Sequence, residues 1–321
     1  MKKLLALGIV AVAVLAVGLW FIQGWNGAGA AAKPTPVVIA PGSSMVKAAE
    51  TLEKAGVVAS AERFLFQAKL FGGSKSIKAG EYEFPAHASH AEVLSLLQSG
   101  KTLQRMVTVP EGMPSVLVHE RLMQAPTLTG DVGVPEEGSI LPDSYSYQRG
   151  ESRSAVLARM QAAMAKTLAA LWPKKASGSL VTSPREAVIL ASIVEKETGK
   201  ASERPMIAGV YSNRLRQGIK LDADPTVIYP ITKGKPLGRR ILRSELQANN
   251  GYNTYAMAGL PAGPIANPGK ESIAAVLNPA QTQALYFVAD GTGGHVFANT
   301  LAEHNANVQK WYALRRARGE M

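Results

Sequence analysis

The sequence predicts an α+β protein with three parts: an N-terminal transmembrane helix, a small α+β module, and a mixed α/β domain that carries an acidic side chain on a buried helix. Three observations support this prediction. An uncharged run begins at Leu4, short strand and helix signals alternate after Val37, and a nearly all-apolar helix ends in two glutamates just before Thr198. The predicted parts are 1–25 for a cytoplasmic stub and membrane anchor, 26–36 for a linker, 37–104 for the small module, and 105–321 for the larger domain.

The N-terminal segment has the length and the flanking charge of a membrane anchor. The run from Leu4 to Ile22 holds nineteen uncharged residues, which is close to the number that spans a bilayer as a helix. Lys2 and Lys3 precede it and predict a cytoplasmic N-terminus. The alternative is a signal peptide cleaved near Ala28–Ala30, although the run is longer than a usual signal-peptide core. We therefore expect a single-pass protein of the inner membrane whose remaining chain is periplasmic.

The composition excludes some partners and favours others. The chain has 321 residues, no cysteine, a net charge of +11 and a pI near 9.7. The absence of cysteine excludes disulfides and cysteine metal sites. A strongly basic chain favours anionic partners, but it lacks the basic motif interleaved with aromatic residues that single-strand binders use. We therefore predict no nucleic-acid partner, and the sequence shows no pattern for a metal or a cofactor.

The small module shows alternating strand and helix signals. Val37–Ile39 reads as a strand, Ser44 and Ser60 are placed to cap two helices, and Gly80–Phe84 alternates like a second strand. A capping box at Ser89 opens a third helix. Helices against a short sheet predict an α+β module.

The larger domain begins with a strand at Gln104–Val109 and continues with helices. Arg153–Trp172 and Glu203–Gln217 have helical apolar spacing, and Leu285–Phe297 reads as a hairpin around a glycine-rich turn. Thr300 is placed to cap the last helix.

The most distinctive stretch runs from Thr182 to Thr198. Ser183 is placed to cap a helix, Pro184 occupies its first position, and Glu186 is spaced for a capping box with Ser183. The eight residues that follow Glu186 are apolar except for one serine. A helix that is apolar all round is usually buried.

Two carboxylates, Glu195 and Glu197, end this helix on different faces. Helical spacing places Glu197 on the apolar stripe of Ile193 and Val194, and places Glu195 on nearly the opposite side. Apolar surroundings raise the pKa of a carboxyl, and a carboxyl protonated near neutral pH can act as a general acid. On the helical pattern alone, the alternative that both glutamates are solvated at the helix end stays open.

The residues around this helix form six blocks in a fixed order. The blocks are Ile193–Thr198, Tyr211–Leu215, Leu221–Tyr229, Gly251–Tyr255, Gly259–Ile265 and Leu285–His295. Between Met106 and Gln309 the series resembles the membrane-anchored endolytic murein transglycosylase family (MltG, or YceG-like). The resemblance implies that Glu197, the second glutamate of Glu-Lys-Glu, is the catalytic acid, and that residues 37–104 form a LysM-like module.

The resemblance also implies a reaction and its partners. A lytic transglycosylase of this family is a lyase that cleaves the β-1,4 bond between N-acetylmuramic acid and N-acetylglucosamine within nascent peptidoglycan strands. It leaves 1,6-anhydro ends and so helps to terminate strand elongation. Its partners are glycan strands, the inner membrane through residues 4–22, and cell-wall synthases.

Several polar side chains in these blocks are candidates to contact the sugar. Each has a simpler interpretation as well, because buried tyrosines commonly pack in cores and an aspartate before proline commonly holds a turn. We place Asp222 and Asp224 on a loop, which has too few oxygen ligands for calcium. The predicted substrate-binding residues are Asn213, Asp224, Tyr229, Tyr252 and Asn253. Tyr255 is a polar-tipped aromatic residue of the same kind, and we interpret His295 and His304 as structural or sugar-contacting.

Two other functions remain open. A muramidase would pair Glu197 with Asp222 or Asp224, because glycoside hydrolysis normally takes two carboxylates. A membrane-tethered scaffold would bind glycan without cleaving it.

Overall fold

The computed structural model of the chain describes residues 12, 18 and 21–320. The described residues combine helices with small two-stranded sheets, which confirms the α+β class. Within the described residues no helix is both long enough and apolar enough to cross a bilayer. Most of the predicted anchor, residues 4–22, lies outside the described residues.

The described elements divide into two compact units. One contains the chain up to Arg105 together with Tyr147–Gly150, and the other contains Met106–Ser146 and the chain from Glu151 onward. Each unit has its own apolar core.

In the first unit, two helices connect two strands that pair directly with each other. Strand β1 (Thr35–Ile39) pairs antiparallel with β2 (Gly80–Phe84), so that Thr35 lies opposite Phe84. Helices α1 (Met45–Lys54) and α2 (Ala61–Phe71) connect these strands, and α3 (His90–Ser99) follows them. Capping bonds from Ser44 and Ser60 confirm two predicted helix starts. The core is built from Leu52, Phe64, Tyr82, Phe84 and Leu97.

The remaining strands and helices lie between residues 105 and 317. Strand β3 (Arg105–Thr108) pairs with β4 (Ser144–Tyr147), and β5 (Tyr286–Ala289) pairs antiparallel with β6 (His295–Ala298). The helices are α4 (Ser115–Gln124), α5 (Arg153–Leu171), α6 (Pro184–Glu197), α7 (Arg204–Arg216), α8 (Asp224–Thr232), α9 (Arg243–Leu246), α10 (Lys270–Leu277) and α11 (Leu301–Ala317).

Helix α6 lies at the centre of the second unit. All eight residues from Ala187 to Val194 are buried, and the apolar ones among them pack against α7 and α10. The predicted buried helix is therefore confirmed. The Ser183 hydroxyl accepts from the Glu186 amide at 3.2 Å, but the Glu186 carboxylate bonds the Thr182 amide at 2.6 Å instead of that of Ser183. The predicted capping box is thus only half formed, since Glu186 reaches one residue further back.

Gly209 lets a loop approach α7 closely. A Cβ atom at this position would lie 2.6 Å from the Ala280 carbonyl oxygen, which is far inside van der Waals contact. The missing side chain brings the segment before β5 against α7, and this segment leads to the aromatic residues of the candidate site.

Candidate active site

Glu197 ends helix α6 with a carboxyl group that is mostly enclosed. The chain turns extended at Thr198, and the neighbouring Ile193 and Val194 are completely buried. The Oε1 atom is shielded from solvent and has no hydrogen-bond partner among the described residues. The Tyr211 hydroxyl on α7 hydrogen-bonds the same carboxyl group. An acid with one unpartnered oxygen is free to share its proton with a ligand.

The environment holds the Glu197 proton near neutral pH. Burial raises its pKa from 4.5 to about 7, and the nearby charge of Asp224 also raises it. The hydrogen bond from Tyr211 and the charge of Arg214 act in the opposite direction but are outweighed. The pKa direction expected from the helical pattern is therefore confirmed.

Glu197 opens into a cavity of about 410 Å³. The rest of its lining comes from α7, the segment 221–224 that leads into and begins α8, the loop after α9, and the C-terminal hairpin and helix. These residues are Tyr211, Arg214, Leu221, Asp222, Asp224, Tyr255, Tyr286, Phe287, Leu301 and His304.

Two further carboxylates line this cavity. Asp222 has a left-handed backbone (φ 50°) and lies 3.2 Å from the Arg214 guanidinium. Asp224 accepts a hydrogen bond from the Tyr255 hydroxyl at 2.7 Å. The prediction that Asp224 lies on a loop is wrong, because it begins helix α8. Pro225 suits the first turn, and a carboxylate is favourable at the N-terminus of a helix.

Arg214 ties together three chain segments at the cavity wall. Its guanidinium donates to the carbonyls of Leu285 at 2.6 Å and Leu221 at 2.9 Å, and its Cζ lies 5.3 Å from the centre of the Tyr286 ring. It thus places one positive charge among the three acids and fixes Asp222 beside them.

The Tyr286 ring stacks on His304 of α11, with ring centres 5.2 Å apart. Burial and the charge of Arg214 lower the pKa of His304, which favours the neutral ring. Its Nδ1 atom is buried and has no partner among the described residues. This stacked pair forms one wall of the cavity.

Of the six predicted site residues, Glu197 and Asp224 line this cavity, whereas the other four lie outside its lining. The Asn213 amide donates to the carbonyls of Thr282 and Ala284 at 2.8 and 3.1 Å. Asn253 is 1% exposed, and its amide nitrogen donates to three carbonyls at or just after the end of α9. Through these hydrogen bonds, both side chains hold a loop against a helix.

Tyr229 and Tyr252 contact each other with ring centres 5.0 Å apart. The Tyr229 hydroxyl hydrogen-bonds Glu137, which also accepts from the Ser115 amide at 2.9 Å. Burial raises the pKa of Glu137. The polar end of Tyr229 is therefore satisfied within the domain.

Tyr255 and His304 are possible sugar contacts on sequence grounds, and both line the cavity. Tyr211, Arg214 and Tyr286 were not among the predicted site residues; the available signal was that they fall within the six blocks. Within the described residues no group of three or more His, Asp or Glu side chains is arranged to hold a metal ion.

The raised pKa of Glu197 predicts a pH-dependent stability. The folded protein keeps this proton to about pH 7, whereas the unfolded chain releases it near 4.5. The contribution of Glu197 to the free energy of unfolding should therefore fall by about 3 kcal/mol as pH rises through this window. The free energy of unfolding of Glu197→Gln, measured with denaturant, should rise relative to that of wild type between pH 4.5 and 8. The same measurement on Glu136→Gln, at an exposed position, should show no such rise. A constant difference over this range would contradict the shift.

Comparison with known proteins identifies relatives over most of the chain. The profile of the YceG-like family matches residues 37–310. Endolytic murein transglycosylases of Streptococcus pneumoniae, from strains D39 and R6, are each 30% identical over 325 residues, which cover 86% of this chain and 58% of theirs. The enzyme of the same name from Bacillus subtilis is 28% identical over 305 residues, covering 85% of this chain and 83% of its own.

A crystal structure of a YceG-like protein from Listeria monocytogenes is also similar, with a TM-score of 0.53 and 28% identity. The match covers 85% of this chain and 98% of that one. The chain spans 58% of the length of the pneumococcal relatives. Because the family profile covers most of the chain, the protein belongs to the YceG-like family.

Proposed function

We propose that the protein is an endolytic peptidoglycan lytic transglycosylase that cleaves between N-acetylmuramic acid and N-acetylglucosamine. The observation that carries this proposal is the carboxyl of Glu197, which keeps its proton near pH 7 and turns toward a cavity lined by aromatic and acidic side chains. The name shared by the curated relatives supports the same reaction.

The proposed reaction uses one group as acid and then as base. Glu197 gives its proton to the glycosidic oxygen as the bond to C1 of N-acetylmuramic acid breaks. The C6 hydroxyl of that sugar then attacks C1 and returns its proton to Glu197, which closes the 1,6-anhydro ring. The nucleophile belongs to the substrate, so no water takes part.

The acidic side chains of the cavity suit the charge that develops at C1. An oxocarbenium-like transition state is positive, and fixed negative groups placed beside such charge stabilise it. Asp224 is held in place by Tyr255 at 2.7 Å, and Asp222 is tied to Arg214. We assign Asp224 the stabilising role, since Asp222 already has a cationic partner.

Product analysis distinguishes this reaction from hydrolysis. Purified glycan strands incubated with the protein should yield ends that are one water lighter than hydrolysed ends. Asp222→Asn should retain this activity, whereas a muramidase that uses Asp222 would lose it. Products with reducing ends would support the muramidase, and binding to sacculi without any soluble product would support a scaffold.

The proposed function also includes roles for the small module and for the N-terminal anchor. We infer that residues 37–104 form a LysM-like module that binds glycan, which the strand–helix–helix–strand order supports. We further propose that residues 4–22 span the inner membrane with the N-terminus in the cytoplasm. The domain boundaries and an association with cell-wall synthases remain parts of this proposal.

A further inference from the structure

Helix α2 exposes large apolar side chains on the face that is turned away from its core. Phe66 is 56% exposed, Leu70 61% and Phe71 40%. Phe66 and Leu70 are four residues apart and so lie on the same side of the helix. The opposite face, with Phe64 and Ala68, is buried in the first unit. We call Phe66, Leu70 and Phe71 the α2 surface.

The α2 surface is continuous with the end of the uncharged N-terminal run. The Phe21 ring lies 5.4 Å from that of Phe66, and the Trp25 ring lies 5.7 Å from that of Phe71. The Gln67 side chain on α2 also donates to the Phe21 carbonyl at 3.2 Å. Aromatic residues at the end of the run and just after it therefore pack directly on α2, so a membrane that surrounds the run would also cover the α2 surface.

Basic residues flank the α2 surface. Lys69 lies on α2 and Lys75 follows it, and both are exposed. Glu62, at the N-terminal end of the helix, is the acidic residue on α2. Lysines beside an apolar surface match the phosphates of an anionic bilayer. Tryptophan, here Trp25, is enriched at the same depth.

We propose that α2 lies in the interface of an anionic bilayer, with Phe66, Leu70 and Phe71 at the boundary of the acyl chains. The lysines then reach the head groups, as in interfacial amphipathic helices. This contact adds a second membrane attachment to the proposed anchor. It rests on that anchor but not on the chemistry of Glu197.

Because the chain has no cysteine, a single introduced cysteine labels uniquely. Leu70→Cys in the full chain would carry a nitroxide, with Lys54→Cys, exposed on α1 in the same unit, as the control. In nanodiscs containing phosphatidylglycerol, the ratio of oxygen to nickel-complex accessibility should be several-fold higher at residue 70 than at residue 54. Equal ratios would overturn the proposal, and so would low accessibility to both reagents at residue 70, since a second protein copy would then cover the surface.

Paired charge-reversal substitutions test the electrostatic contribution of Lys69 and Lys75 to the membrane contact. Lys69→Glu/Lys75→Glu should lower the accessibility ratio at residue 70 in phosphatidylglycerol discs but not in phosphatidylcholine discs, whereas Lys47→Glu/Lys54→Glu should leave it unchanged. Equal effects of both pairs would overturn the role of the two lysines. If the chain fails to co-float with vesicles, both the anchor and the α2 contact are overturned. Neither readout depends on activity toward glycan, so a failure of the proposed reaction is seen separately.

Discussion

Replacing Glu197 by glutamine is expected to lower the release of anhydro-muropeptides by about 100- to 10,000-fold. The amide has nearly the same shape but does not protonate the glycosidic oxygen, and it does not take the proton of the C6 hydroxyl. Because the folded protein keeps the Glu197 proton up to about pH 7, the neutral amide matches the charge of the carboxyl below that pH. The melting temperature should therefore stay at or above that of wild type. Activity is measured by chromatography of the soluble products from purified strands.

The matched control is Glu136→Gln. Glu136 belongs to the same domain, but its side chain is 72% exposed and forms a surface pair with Arg185. This variant should retain wild-type activity and stability. If Glu197→Gln released products at the rate of Glu136→Gln, the proposed acid would be wrong, whatever the family of the chain.

Replacing Arg204 by methionine is expected to lower the free energy of unfolding by about 3–5 kcal/mol. The Arg204 guanidinium lies 2.9 Å from a carboxylate oxygen of Glu195, and the two side chains are 9% and 4% exposed. The other Glu195 oxygen accepts from the Gly269 amide and the Ser272 hydroxyl at 2.9 and 2.7 Å. Without Arg204 a charge would stay buried without its cation, which costs far more than a lost surface pair.

Two variants test this account by denaturant unfolding. Arg185→Met removes the exposed pair with Glu136 and should cost less than about 1 kcal/mol. Glu195→Gln in the Arg204→Met background should recover part of the lost stability, because the amide still accepts from Gly269 and Ser272 but carries no charge. Equal costs for Arg185→Met and Arg204→Met would show that the buried pair contributes no more than a surface one.

Much of the fold was predictable because its signals are local. Ser44, Ser60 and Ser183 act through hydrogen bonds to residues three positions away, so a short stretch of sequence contains all that determines them. The placement of Glu197 on the apolar stripe depends only on helical periodicity. The start of α8 was missed because an aspartate before proline suits both a turn and a first helical turn.

The site itself was less predictable because its contacts join distant parts of the chain. Tyr211 reaches Glu197 only after α7 packs on α6, and His304 enters the cavity through the packing of the last helix. Asn253 is a polar residue between two tyrosines, which is the pattern of a sugar cleft. Its amide instead satisfies backbone carbonyls at the end of α9, a need that appears only in the folded chain.

The two glutamates at the end of α6 have different roles, one structural and one in the cavity. They are two positions apart, which is about 200° around a helix, so Glu195 meets a guanidinium while Glu197 meets the cavity. A single inserted or deleted residue ahead of them would rotate both by about 100°, and neither would reach its partner. The phase of one helix thus sets both the architecture and the chemistry, and α6 should tolerate exchanges of side chains far better than changes of length.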